Sequence, residues 1–365
     1  MDERTKMKVL IAALALLASL LSPVIRPGAE PAQAQPLTEE RRAALEELYR
    51  SARREGEVIL HFESPAEQFQ PLIEGFQWKF PGIKVTAFAA RADSIPPRII
   101  RESKAGEVTL DVAMGTLLHI APLLERNLLV SFDYSRTSDV DPDSVSEEGR
   151  FVSLYDDPAV IAFNTDILSR DDIPRTLEDL LRPAWEGHKI AVAPSDLTWG
   201  HLLPLWNQDR EKVVSFLRRL GKQDLLFAVD SFGAASRVAR GESPLGFTHA
   251  LLVASFVNKG APLALCPITP TYNVSHGGYL PKVSQHPNAA KLLMSYFSSR
   301  RAAPIWARVG YGKASPCNAG PLAKLMCESR IKHYNVRTVE QAKALEEIGE
   351  TAIKTLHLLP DRSVK

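Results

Sequence analysis

The sequence predicts an α/β protein, and three observations carry that prediction. Short apolar runs rich in β-branched residues alternate with longer segments whose apolar residues recur at helical spacing. Helix-start residues follow the apolar runs within a few positions. The alternation comes in two series, separated by a Ser-, Asp- and Pro-rich stretch from Ser131 to Arg150. Strand and helix in alternation argue for a mainly parallel sheet covered by helices, and two series argue for two such lobes.

In order, "TEERRAALEELYRSARREG" is a helix with Leu45 and Leu48 on one face and Gly56 at its end. "EVILHF", Glu57 to Phe62, is a strand buried on both faces. In "SPAEQFQPLIEGFQWKFPG", Ser64 is an N-cap, Pro65 holds the first helical position, and Phe69, Leu72, Ile73, Phe76 and Phe80 form the apolar stripe. "IKVTAF", "SIPPRIIRESKAGE", "LDVAM" and "TLLHIAPLLERNLL" continue as strand, helix, strand and helix, the last starting at Gly115 and Thr116. After the interruption, "YDDPAVIAFNTDIL" resumes with a strand. A helix over Thr176 to Leu181, the strand "HKIAVA", helices from about Gly200 and Asp209, and a strand near Leu225 to Val229 follow. The second series closes with a helix from Phe232 to Arg240, the strand "PLGFT", a helix over Ala250 to Asn258, and "APLALCPI".

Ahead of both series, residues 1–34 read as an export signal. Lys6 and Lys8 precede the apolar run Val9 to Leu21, and Ala32, Gln33 and Ala34 supply a small-residue cleavage site. The run is shorter than the roughly 20 residues that a membrane-spanning helix requires. The expectation is a soluble protein in the periplasm. With 44 basic and 43 acidic residues, the chain has no basic surplus of the kind that binds nucleic acid or anionic membranes. Of the three cysteines, Cys317 and Cys327 close a short loop and are the candidate disulfide pair; their spacing matches no zinc motif.

No P-loop, no GxGxxG after a strand, no GxSxG, no HExxH and no paired CxxC is present. "HGG" at His276 to Gly278 matches part of an esterase oxyanion loop without its nucleophile elbow. Candidate residues are therefore sought where an open α/β sheet binds ligands: beyond the carboxyl ends of its strands, where helix N-termini expose unpaired N–H groups. Those loops are "ESP" (Glu63 to Pro65), "ARADS" (Ala90 to Ser94), Gly115 with Thr116, "APSDLTWG" (Ala193 to Gly200) and "THA" (Thr248 to Ala250). Arg91 is their one arginine, and Asp93 and Asp196 are their charged acceptors. Ser64, Ser94 and Thr116 serve either as caps, worth about 1 kcal/mol each, or as solute ligands.

Several collinear stretches resemble the periplasmic solute-binding proteins of ABC importers, in the group that includes ferric-ion, polyamine and thiamine binders. They are "ARREGEVILHFES", "FQWKFPGIKV", "FNTDIL…IPRTLEDLLRPAWEGHKIAVAPSD", "GESPLGFTHALLVASFVNKGAPL" and "HPNAAKLLMSYFSS". The resemblance covers roughly residues 45–310. It implies a type II periplasmic binding protein fold, in which two α/β lobes joined by a hinge enclose a ligand cleft. Chain crossings are implied near Tyr155 to Asn164 and near Cys266 to Leu280, with lobes at 35–155 and 156–270 and a return to the first lobe with C-terminal helices over 271–365.

By the resemblance, the protein captures a small polar solute, anionic if Arg91 anchors it, and delivers it as a monomer to a membrane permease, without catalysis, cofactor or metal. The implied ligand-binding residues are Ser64, Arg91, Ser94, Thr116, Ser195, Asp196, Thr198, Trp199, Thr248, His249 and Tyr272. Trp199 and Tyr272 either face the solute or pack beneath it. Ferric-ion binders that resemble this chain carry adjacent tyrosines just beyond the later strand; here Ala250, Leu251 and Leu252 stand there. A ferric-ion or polyamine binder, and an enzyme with Cys266 as nucleophile, are the alternatives.

Overall fold

A computed structural model describes residues 38–63, 66–106, 109–187, 189–194 and 196–358. The expected export signal, Ser64 and Ser195 lie outside the described residues. The first lobe opens with α1 (Glu39–Glu55), capped at its start by Thr38 and ended by Gly56 in the left-handed conformation. It continues through β1 (Glu57–Phe62), α2 (Ala66–Lys79), β2 (Lys84–Ala89), α3 (Ile95–Ala105), β3 (Val112–Gly115) and α4 (Leu117–Leu124). The α4 helix stops earlier than its apolar run, because Asn127 turns the chain with a positive φ of 52°. Two strands, β4 (Val145–Ser146) and β5 (Phe151–Tyr155), complete this passage.

The chain then crosses to the second lobe within three residues. There β6 (Ala159–Asn164), β7 (Ile190–Val192), α5 (Asp196–Gly200), α6 (Leu202–Leu205), α7 (Arg210–Leu220) and β8 (Leu226–Phe227) follow in order. The helix expected over Thr176 to Leu181 is a single tighter turn, Glu178–Leu181. Next come α8 (Ser231–Ala239), β9 (Leu245–His249), α9 (Ala250–Asn258) and β10 (Leu263–Leu265). The return passes through β11 (Thr271–Asn273) to β12 (His276–Tyr279), α10 (Pro287–Phe297) and α11 (Ala303–Arg308). The chain ends with α12 (Pro321–Glu328), β13 (His333–Asn335) and α13 (Val339–Thr355).

One sheet has the order β2-β1-β3-β12-β5-β4, the other β10-β6-β9-β7-β8, and β11 pairs with β13 as a two-stranded ribbon. In the first sheet β1, β2 and β3 are parallel, and β12 runs antiparallel between β3 and β5. The "HGG" stretch is thus a central strand. A Cβ at Gly277 would lie 2.2 Å from the Val152 carbonyl oxygen, and one at Gly278 2.4 Å from the Met294 sulfur, so both glycines are demanded by close packing. The first lobe's core joins Leu60, Phe62, Phe69, Phe76, Met114, Leu154 and Trp306.

The α13 helix belongs to neither lobe alone. Leu345 and Ile348 enter an apolar cluster with Leu117 and Ile120 of the first lobe and Leu202 and Leu217 of the second. At its flanks Lys343 pairs with Glu125 (3.1 Å) and Arg210 with Glu347 (2.6 Å). The Gly200 Cα faces Leu345 so closely that an added Cβ would meet it at 2.9 Å. This helix thus packs against both lobes.

Candidate functional site

The site is built from strand ends that the two sheets direct at each other. Glu63 follows β1, Tyr155 ends β5, His276 begins β12, and His249 ends β9. Asp157 lies in the three-residue crossing between β5 and β6. Residues that are far apart in sequence meet here because β12 places His276 beside β5, and the crossing places Asp157 between the lobes.

On the first-lobe side, the Glu63 carboxylate accepts from the Tyr155 hydroxyl (3.0 Å) and, through the same Oε1, from His276 Nδ1. The His276 imidazole stacks on the Tyr155 ring with centroids 4.9 Å apart and planes 5° from parallel. On the second-lobe side, His249 Nε2 shares a hydrogen bond of 2.7 Å with the Thr198 hydroxyl, which lies 3.0 Å from that of Ser231. Asp157 connects the halves. Its Oδ2 stands 3.1 Å from His249 Nδ1 and 4.0 Å from His276 Nε2, while Oδ1 receives only a long bond from the Leu251 N–H, 3.4 Å. The His249 ring is turned so that Nδ1 makes no hydrogen bond despite this proximity. The side chains of Glu63, Asp157, His249 and His276 are each about one-sixth exposed or less.

Charge follows from this geometry. Burial alone raises the Glu63 carboxyl, but the His276 imidazolium and the hydrogen bonds from His276 and Tyr155 outweigh it and hold the group at about 2. Burial alone lowers His276, and Glu63 with Asp157 and Asp156 reverses that and raises it. Each partner thus favours the charged form of the other. The Tyr155 hydroxyl, buried and facing Glu63, is raised and stays protonated as a donor. Glu63 Oε2 has no hydrogen-bond partner among the described residues. With Asp157, it leaves two carboxylates with unspent acceptor capacity against one imidazolium.

Of the residues expected from sequence, Thr198 and His249 belong to this cluster; the others stand elsewhere. Arg91 does not reach in: its guanidinium binds Asp93 at 2.7 and 3.1 Å and its side chain is 84% exposed. Ser94 hydrogen-bonds the Arg91 carbonyl and is exposed. Thr116 is fully buried and caps α4 together with His119. Thr248 is fully buried and donates to the Ser231 carbonyl. Trp199 is a core residue, donating to the Ala193 carbonyl and packing on Phe247. Tyr272 sits on the β11–β13 ribbon beside Tyr334 and accepts from Gln208. Asp196 begins α5, outside which nothing of its side chain is described. Sequence reasoning missed Glu63, Tyr155, Asp157, Ser231 and His276. The available signal was "YDDP", two carboxylates and a proline wedged between two apolar strands.

Cys317 and Cys327 are disulfide-bonded, with Cα atoms 5.7 Å apart. Cys266 is free and buried, and burial pushes its thiol well up, away from the thiolate a nucleophile needs.

Residues 122–330 match the bacterial extracellular solute-binding protein family. The chain belongs to that family. Members bind small-molecule solutes and deliver them to the permeases of ABC transporters. The fold is the type II periplasmic binding protein fold. It is similar to the apo ferric ion-binding protein A of Pasteurella haemolytica, at TM-score 0.69 and 15% identity over 84% of this chain and 100% of that one. A structure described as a GABA receptor matches at TM-score 0.67 and 19% identity, over 84% and 99%. The periplasmic binding protein AfuA of Actinobacillus pleuropneumoniae, with fructose-6-phosphate bound, matches at 0.62 and 19%, over 83% and 99%. At these identities the likeness is one of fold. Among curated protein sequences, none matches this chain. Among the described residues no helix is long and apolar enough to cross a membrane.

Proposed function

We propose that this protein is the periplasmic solute receptor of an ABC importer, and that its solute is a small polar molecule bearing a protonated amine, bound between the lobes on Glu63 and Asp157. The observation that carries this reading is the unspent acceptor capacity of these two buried carboxylates, which stand on either side of the His276 ring, with His249 beside Asp157. An ammonium group placed there gains charge-assisted hydrogen bonds in a site of low dielectric. The partly exposed Ser231 hydroxyl offers a polar contact to the neutral part of the solute, and Thr198 beside it positions His249. Closure of the lobes on the solute removes its water, and the closed form is the one presented to the permease.

The expectation of an anionic solute rested on Arg91, the hydroxyl-rich helix starts and the missing tyrosine pair; Arg91 is engaged by Asp93 at the surface and Thr116 and Thr248 are buried, so the amine reading is preferred. The ferric-ion alternative has less support, because Ala250 and Leu251 supply no phenolate where its binders carry tyrosines. Catalysis by Cys266 is disfavoured by the burial of that thiol. The disulfide suits an oxidising compartment, in keeping with export.

A thermal-shift panel of diamines, amino acids, organic acids, sugar phosphates and ferric ion tests the reading. Amine-bearing compounds are expected to raise the melting temperature, in a way that Glu63→Gln and Asp157→Asn each diminish. A shift produced by amine-free anions or by ferric ion alone contradicts it.

A further inference from the structure

The crossing from β5 to β6 has two sides. Asp156 and Asp157 are consecutive but meet different partners, Ser275 and the Ala314 N–H for Asp156 and the His249 and His276 rings for Asp157. Asp157 faces the cleft. Asp156 faces a separate cavity of about 520 Å³ behind the hinge, whose lining includes none of Glu63, Tyr155, Asp157, His249 or His276. That volume lies within the range of about 300–1,000 Å³ typical of small-molecule sites.

The charges around this cavity sort themselves. Lys313 is occupied: its Nζ donates to the Ser153 hydroxyl at 2.8 Å and stands 3.5 Å from Asp156. Asp143 is held by Arg337 at 2.9 Å. Two charges remain without an ion-pair partner among the described residues, and both are exposed: the Arg300 guanidinium beyond the end of α10 and the Asp141 carboxylate on the loop before β4. Asp141 uses only Oδ1 locally, accepting from the Asp143 N–H at 3.0 Å. The cavity thus offers one free cation and one free anion, with apolar floor from Phe297 and Trp306.

We propose that this cavity is a second binding site, distinct from the cleft, for a small zwitterion of the amino-acid or betaine class. Its carboxylate binds Arg300, its cationic nitrogen binds Asp141, and its body rests over the Phe297 and Trp306 floor. A lone anion or a lone cation would leave one of the two wall charges unmatched; a zwitterion matches both. Asp156, Ser275 and Asn335 bring the β5–β6 crossing, the return to β12 and the β13 ribbon to the same cavity. Occupancy therefore touches both the outgoing crossing and the return to the first lobe.

The test is isothermal titration calorimetry of the mature protein with the twenty proteinogenic amino acids and glycine betaine. It is repeated on Arg300→Ala, on Ala303→Trp, which fills the cavity from its exposed rim, and on the cleft variant Asp157→Asn. At least one panel member is expected to bind saturably, at least tenfold more weakly in both cavity variants, and within about threefold of wild type in Asp157→Asn. Three results overturn the proposal: no panel member binds, affinity is retained in either folded cavity variant, or affinity is lost in Asp157→Asn alone, which assigns the ligand to the cleft. Arg300 is exposed and makes no side-chain bond, so Arg300→Ala should melt as wild type does and keeps the test informative even if Ala303→Trp fails to fold.

Discussion

Asp156 and Asp157 are neighbours in sequence with opposite employment. Asp156 is almost fully buried and spent: it accepts from the Ser275 hydroxyl at 3.0 Å and the Ala314 N–H at 2.8 Å, and pairs with Lys313. Burial alone would raise its carboxyl, but Lys313 and these hydrogen bonds hold it below the usual range. Asp157 has a single weak backbone bond and two imidazoles nearby that it does not bind well. A carboxylate saturated by its own fold is structural; one with room to accept is available to a solute. On the proposed function, the contrast gives the hinge two faces, one that fixes the crossing and one open to the solute.

The largest expected effect breaks the structural face. Asp156→Ala leaves Lys313 and Ser275 without their partner in a buried site and is expected to cost about 3–5 kcal/mol, read from the urea midpoint. Next is Glu63→Gln. It removes the charge that raises His276, so the His276 titration followed by NMR moves to lower pH, with a stability loss of about 2–3 kcal/mol at neutral pH for the buried pair.

The sign of the pH dependence follows from the two shifts. Stability from Glu63, lowered to about 2, is present above its unfolded value and is lost as pH falls toward 2. Stability from His276, which is raised, is present below 6.5 and is lost as pH rises through its folded value. Wild type is therefore expected to show a plateau between these limits that Glu63→Gln removes. Thr198→Val orphans His249 Nε2 and is expected to cost about 1–2 kcal/mol by thermal melting. The smallest effect belongs to Arg91→Ala: its pair with Asp93 is exposed and screened by solvent, so neither the melting temperature nor solute affinity is expected to change measurably.

Much of the fold was legible because it is written locally. β1 matches its apolar run, the helix Ala250–Asn258 matches its pattern, and Gly56 ends α1 as its position predicts. The site was legible only in part. Thr198 and His249 were singled out because they sit at strand ends or helix starts, where the rule for open α/β sheets directs attention, and the structure places both in the candidate cluster. The same rule overreached at Thr116, Thr248 and Trp199, where helix starts are capped and packed and no side chain remains for a ligand. Glu63 was passed over in favour of its hydroxyl neighbour Ser64, Asp157 fell in a stretch read as resuming with a strand, and His276 was noted only as part of an esterase-like loop without its nucleophile elbow. Their role depends on β12 returning between β3 and β5, a pairing across more than a hundred residues that no local pattern encodes.

The most direct test of the two-faced hinge is solute affinity and melting temperature in Asp157→Asn beside Asp156→Asn, with the solute identified from the thermal-shift panel. Asp157→Asn is expected to bind at least tenfold more weakly, about 1.4 kcal/mol, while melting within about 2 °C of wild type. Asp156→Asn is expected to melt several degrees lower and, while folded, to bind with near-native affinity. Full affinity in Asp157→Asn, or a loss of affinity without a loss of stability in Asp156→Asn, would contradict the account.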